Sequence, residues 1–120
     1  PQKPEVEILA RVALSVVAGA LEKVMIFPSG QTEPIRKYQA GEGSFFRGVM
    51  RTLVRERVAR SMDSKAEFIP ELTSAGGLIL IDELTGYWIA IEAFGPDNYQ
   101  EFRLIFERAR ASSSARAELS

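Results

Sequence analysis

Residues 76–94, GGLILIDELTGYWIAIEAF, carry the strongest fold signal in the chain, a predicted β-hairpin. Two runs of aliphatic and aromatic residues, LILI and YWIAI, flank a short polar turn, which is the pattern of paired strands. Residues 83–86, ELTG, suit a type I turn with Gly86 in the left-handed position. Neither strand alternates cleanly between apolar and polar residues, so we expect both faces of the hairpin to be covered.

Helices are predicted to provide that cover. Residues 4–26 have aliphatic side chains at three-to-four spacing, and Pro28 disfavours helical geometry just before it. Ser44 is a predicted cap for a second helix over residues 45–62, and a last amphipathic helix begins after Gly95. Because a lone hairpin is marginally stable, we predict an α+β fold. In it a long apolar helix and an Arg-rich helix pack on the hairpin, and the C-terminal amphipathic helix closes the core.

Two segments connect these elements. Residues 28–43 contain several proline and glycine residues and are predicted to form a loop, with a short extended piece at residues 35–38. Residues 63–75 are predicted to form a short helix, because Ser64 and Glu67 have capping-box spacing.

The length and composition indicate one soluble globular domain. The chain has 120 residues, of which 46% are hydrophobic and 26% charged, which is close to the average for such domains. We predict a single α+β domain over residues 1–111. A disordered tail is predicted over residues 112–120, because that segment is low in apolar bulk.

Two missing residue types narrow the function classes. The chain has no cysteine and no histidine, so it offers no thiolate nucleophile, no imidazole base and no Cys or His metal ligand. We therefore predict no cofactor, no metal and no catalytic residue, and the lack of cysteine favours a cytoplasmic location. Charged residues at Arg11, Glu22 and Lys23 interrupt the most apolar stretch, so no membrane partner is predicted.

The predicted binding feature is a row of arginines on the second helix. Residues 45–62 contain five arginines and no lysine, opposed only by Glu56. A guanidinium group grips a carboxylate or a phosphate with two parallel hydrogen bonds. The predicted partner-binding residues are Arg47, Arg51, Arg55, Arg57 and Arg60, the first three of which lie at helical spacing along one side.

A nucleic acid is the alternative ligand for these arginines. The predicted order of two helices, a short helix and a hairpin is also that of a winged-helix domain, with residues 63–75 as the recognition helix. However, Glu67 and Glu71 in that segment, and the acidic turn DELTG, would face phosphates unfavourably. The net charge of −1 also lacks the basic excess of most nucleic-acid-binding domains.

The acidic residues suggest a second alternative. Glu71, followed by Asp82 and Glu83, resembles the carboxylate pair of restriction-type nucleases, and Glu56 would supply a third carboxylate. Such groups suit Mg²⁺. Leu84 occupies the position where that pattern requires lysine, so the resemblance implies a degenerate metal-dependent nuclease-like domain. The simpler interpretation is that the hairpin acids form ion pairs with arginines.

These observations favour binding over catalysis. We predict a non-catalytic protein interaction or regulatory module that uses the Arg-rich helix to bind an acidic surface. Its predicted partner is another protein or a second copy of the chain, as in a homodimer.

Overall fold

The computed structural model describes residues 2–61 and 67–119, with side chains up to residue 115. Within these residues the fold has two α-helices and two antiparallel β-sheets, which confirms the predicted α+β class. The elements in chain order are β1 (Ile8–Arg11), β2 (Leu14–Ala18), β3 (Val24–Pro28), β4 (Arg36–Tyr38), α1 (Ser44–Ala59), β5 (Ile69–Thr73), β6 (Leu78–Ile81), β7 (Trp88–Ala90) and α2 (Pro96–Leu119).

Residues 8–18 belong to both sheets. Their first half, β1, is an edge of a four-stranded sheet of order β1-β5-β6-β7. Their second half, β2, is an edge of a three-stranded sheet of order β2-β3-β4. Where the halves meet, the Leu14 N–H donates to the Phe68 carbonyl (2.8 Å) and the Phe68 N–H donates to the Leu14 carbonyl (3.0 Å). The two sheets are therefore joined at this bridge.

The predicted long apolar helix over residues 4–26 is wrong. The segment forms β1, β2 and the start of β3, with a tight turn at Ala20–Glu22. Because nearly every position from 8 to 20 is apolar, helical spacing can be found in a stretch whose side chains alternate between strand faces. Its valines favour strands because β-branched side chains are stiff at χ1. Gly19 would also cost a helix interior about 0.5–1 kcal/mol.

Helix α1 occupies most of the region predicted to be helical, 45–62. Gly43, with φ of 70°, rather than the predicted Ser44, is the residue that caps it. A side chain at position 43 would be strained at this φ, and its Cβ would lie 2.5 Å from the Tyr38 ring. The predicted extended piece at residues 35–38 is present as β4.

The hairpin predicted within residues 76–94 is formed by β6 and β7. Ile79 lies opposite Ala90 and Ile81 lies opposite Trp88. Gly86 has the predicted left-handed conformation (φ 79°), and its N–H donates to the Asp82 carbonyl at 2.8 Å. Every residue of β6 is buried, so both faces of this strand are covered, as the sequence predicts.

The predicted short helix over residues 63–75 is wrong for residues 69–73. These form β5, which lies between β1 and β6, while residues 62–66 lie outside the described part of the chain. Strand β5 ends in a tight turn, in which the Thr73 N–H donates to the Gly77 carbonyl at 2.9 Å. This turn sends the chain back antiparallel as β6, which favours a strand over a helix.

Helix α2 closes the core, as predicted. It continues to Leu119, whereas the composition predicts a disordered tail from residue 112; the alanine, arginine and glutamate of that segment are good helix formers. Each large side chain buried here contributes roughly 1.5–3 kcal/mol. The buried residues of its predicted apolar face are Phe102, Ile105, Phe106 and Ala109.

Candidate interaction surface

An open groove of about 630 Å³ separates α1 from the β2–β3 hairpin. Its walls are mainly apolar, and Phe46 and Phe68 line it as well. Val16 and Ala18 are two positions apart in β2 and so lie on the same face of that strand, and Ala18 pairs with Val24 in β3. This face of the hairpin therefore forms one wall of the groove. The aliphatic lining residues are Met50, Val54 and Val58 from α1 and Val16, Ala18 and Val24 from the hairpin.

Arg51 and Arg55 line this groove and are exposed to solvent. They are four residues apart on α1, which corresponds to about 6 Å along a helix axis. Neither makes a hydrogen bond or ion pair with any residue in the described part of the chain. Two guanidinium groups beside an apolar groove form a surface that suits a ligand with both apolar and anionic groups.

Arg47 also lines the groove, but its guanidinium has an internal role. Its Nε donates to the Glu42 carbonyl at 2.6 Å, and its Nη2 donates to the Gln39 carbonyl at 2.8 Å. Arg47 therefore holds the loop that precedes α1, and it is less available to a partner than Arg51 and Arg55.

Arg57 does not belong to a binding surface, so this part of the site prediction is wrong. The side chain is 0% exposed. Its Nε donates to Asp82 Oδ2 at 2.6 Å and its Nη2 to Asp82 Oδ1 at 2.8 Å. Arg57 follows Leu53 by four residues and so lies on the buried face of α1. It connects that helix to the β6–β7 hairpin.

Asp82 is held in its charged form by these contacts. Burial alone would raise the pKa of its carboxyl group, but hydrogen bonds from the Arg57 guanidinium and the Leu84 N–H outweigh burial and lower the pKa. Glu83, the next residue, accepts a hydrogen bond from Arg11 at 2.7 Å. Asp82 and Glu83 are thus both ion-pair partners of arginines, as the simpler interpretation predicts. Glu92, the third acid of residues 76–94, instead accepts a hydrogen bond from the Leu78 N–H at 3.0 Å.

Arg60 lies beyond the end of α1 and is exposed. Its Nη1 donates to the Thr85 carbonyl at 2.9 Å, and its Nη2 lies 3.8 Å from Glu56 Oε2. It is outside the groove lining, so the predicted set of five arginines is divided among three different environments.

The carboxylates of the nuclease-like pattern are each engaged elsewhere. Glu71 is buried and forms ion pairs with Lys3 and Arg11, Asp82 pairs with Arg57, and Glu56 lies near Arg60. Among the side chains that the structure describes, in residues 2–61 and 67–115, no three acidic ones form a group that could hold a metal ion. The structure therefore gives no support to a nuclease-like site.

The winged-helix order of elements that accompanied the nucleic-acid alternative is wrong. The winged-helix order needs a recognition helix over residues 63–75, but residues 69–73 form β5, and β1, β2 and the start of β3 replace the first helix. None of the described helices is long and apolar enough to cross a bilayer.

Sequence reasoning missed the hairpin wall of the groove. The predicted helix over residues 4–26 includes Val16, Ala18 and Val24, so it gives no indication that they lie opposite α1. Gly19, between two valine-containing runs, is the signal that would have indicated a turn.

A comparison with protein-family models matches residues 9–110 to one model, described as photosynthetic complex reorganisation protein PuhC. This match covers most of the chain. The chain belongs to the PuhC family. The PuhC description indicates a non-catalytic role in assembly or regulation, which requires contact with other proteins, and at this level the predicted interaction module is supported. Searches of curated proteins and of solved structures gave no match.

Proposed function

We propose that this protein is a non-catalytic module that docks onto an acidic segment of a photosynthetic-complex protein through the groove beside α1. Arg51 and Arg55 are its charged anchors, and the aliphatic walls of the groove supply the apolar contact area. The observation that carries this proposal is the combination of two exposed arginines, without a partner in the described residues, and an open apolar groove.

The two kinds of contact have different roles in binding. Apolar area removed from water supplies about 25 cal/mol per Å², which drives association without selecting orientation. Arginine forks select carboxylates and fix their positions, because each fork needs two acceptors in one plane. Arginines at the centre of an interface are frequent hot spots, with losses of about 2 kcal/mol or more on truncation.

The direct test measures binding to purified, immobilised photosynthetic complexes. We expect the double variant Arg51→Glu, Arg55→Glu to bind at least about tenfold more weakly, equivalent to about 1.4 kcal/mol. The matched control is Arg108→Glu, which reverses an exposed arginine on α2 outside the groove. Equal affinity of the double variant and the wild type would contradict the proposal, as would equal losses in both variants.

The same variants separate protein binding from nucleic-acid binding. A nucleic-acid ligand predicts binding to duplex or single-stranded DNA that weakens steeply with salt and depends on Arg51. If the wild type binds DNA tightly and in a salt-sensitive way, and the double variant does not, the ligand of the arginines is a nucleic acid and the proposed protein partner is wrong.

Self-association and a cytoplasmic location stay predictions. Light scattering of the purified chain tests the first, since a homodimer would have twice the mass of the monomer, 13.3 kDa. Fractionation of cells tests the second.

A further inference from the structure

The tip of the β2–β3 hairpin has an unusual backbone. Leu21 has φ of 57° and ψ of 37°, and Glu22 has φ of 61°, so two successive residues other than glycine are left-handed. The Lys23 N–H donates to the Ala20 carbonyl at 3.2 Å, and the Gly19 N–H donates to the Lys23 carbonyl at 2.7 Å. These bonds close a tight turn of the type that normally contains Asn-Gly.

This turn is costly, and its most prominent side chain has no role in the fold. A left-handed residue with a Cβ is strained by roughly 1–2 kcal/mol. Leu21 is 90% exposed, so it contributes almost nothing to the core. Strain of this kind is frequently found at sites where a protein binds something.

The tip is continuous with the groove. Ala18 and Val24, which line the groove, form the last pair of the hairpin before the turn. Leu21 is three positions after Ala18 in the chain, which places their Cα atoms at most about 11 Å apart. Glu22 lines a smaller pocket of about 260 Å³ together with Arg51. One ligand can therefore contact the groove, Arg51 and the tip together.

We propose that Leu21 is an apolar anchor that inserts into a pocket of the same protein that occupies the groove. This inference rests on the proposed function, because it assigns one partner to both surfaces. The left-handed turn holds the side chain away from the domain, where a partner pocket can surround it. Single large side chains that fill a partner pocket carry much of the energy of many interfaces.

The observations favour a protein pocket over a lipid surface. One leucine supplies only about 1.5–3 kcal/mol on full burial, which is too little to hold a domain on a bilayer. The adjacent Glu22 would also be repelled by anionic headgroups.

Photo-crosslinking in cells that assemble photosynthetic complexes tests this assignment. The probes are Leu21→p-benzoylphenylalanine at the tip and Val58→p-benzoylphenylalanine in the groove. The control is Leu104→p-benzoylphenylalanine, at an exposed leucine of α2 outside the groove. We expect the first two probes to label the same protein of a photosynthetic complex, identified by mass spectrometry, and the control to leave it unlabelled.

The other outcomes are distinct. Labelling from position 58 alone overturns the anchor and leaves the proposed function standing. Labelling of lipid, or of a different protein, from position 21 overturns the anchor as well. Absence of labelling from both positions overturns the proposed function together with this inference.

A second measurement uses the strain itself. The double variant Leu21→Asn, Glu22→Gly introduces residues that adopt the left-handed turn readily. We expect it to melt at a higher temperature than the wild type and to bind purified photosynthetic complexes at least about fivefold more weakly. The control Leu104→Asn is expected to bind normally. A more stable double variant with unchanged affinity would overturn the proposal.

Discussion

The arginines of α1 differ in burial and in their partners, and the contrast is sharpest between Arg57 and the pair Arg51 and Arg55. Arg57 is enclosed by the core, with its charge compensated by Asp82. Arg51 and Arg55 are exposed beside an apolar groove, with no ion pair to any described residue. The difference shows that position on the helix decides whether an arginine supports the fold or remains available to a partner.

The largest expected effect is the loss of the buried arginine. Arg57→Ala leaves Asp82 as a buried charge without its partner, which typically costs about 3–5 kcal/mol. We expect urea unfolding to show a destabilisation of this size or an unfolded protein. Arg55→Ala, on the same helix, is the matched control and should change stability by less than about 0.5 kcal/mol. Similar losses in both variants would remove the distinction between the two kinds of arginine.

A smaller effect is expected from neutralising the acid of the pair. Asp82→Asn keeps the shape but weakens hydrogen bonds to a charged group, with an expected loss of about 2 kcal/mol at pH 7. The contacts lower the pKa of Asp82 below 3.8 in the folded protein. The charged Asp82 therefore contributes its full share to the free energy of unfolding when the pH is above that value. This contribution is lost as the pH falls through the folded pKa.

The stability difference between the wild type and Asp82→Asn should therefore shrink below about pH 3.8, which urea titrations at pH 7 and pH 3 can measure. A difference that stays constant over this range would mean that the Asp82 charge does not stabilise the fold.

The smallest expected effect concerns ionic strength and the exposed arginines. Salt weakens the attraction between exposed charges, with a screening length of about 10 Å at 0.1 M. We expect affinity for photosynthetic complexes to fall as salt rises, and to fall less steeply in Arg51→Ala. Titrations at several salt concentrations measure the slope, with Arg108→Ala as control. Parallel slopes for the wild type and Arg51→Ala would indicate that this arginine does not meet an acidic group.

The sequence predicted the elements whose local signals agree with their tertiary environment. The β6–β7 hairpin has turn residues that match its geometry, and α2 has a clear apolar face. Residues 4–26 failed because an almost uniformly apolar stretch does not distinguish a period of two from a period of 3.6. This stretch is extended because β1 pairs with β5 and β2 pairs with β3, and these partners are not visible in the local sequence.

The candidate site was predicted in part for a similar reason. The spacing of Arg51 and Arg55 on one helical side is visible in the sequence. The burial of Arg57 is not, because it depends on Asp82, which is 25 residues distant in the chain. The apolar wall opposite the arginines also required β2 and β3 to be known as strands.

The strand shared by the two sheets has a consequence for how the domain opens. Separation of β2 from the three-stranded sheet would break the Leu14–Phe68 bridge and so loosen the end of the four-stranded sheet, because β1 and β2 belong to one continuous segment, residues 8–18. Amide protons of β1 and β2 should therefore exchange with solvent in one cooperative step. A protein bound in the groove would therefore slow amide exchange not only in β2, which lines the groove, but also in β1, which does not.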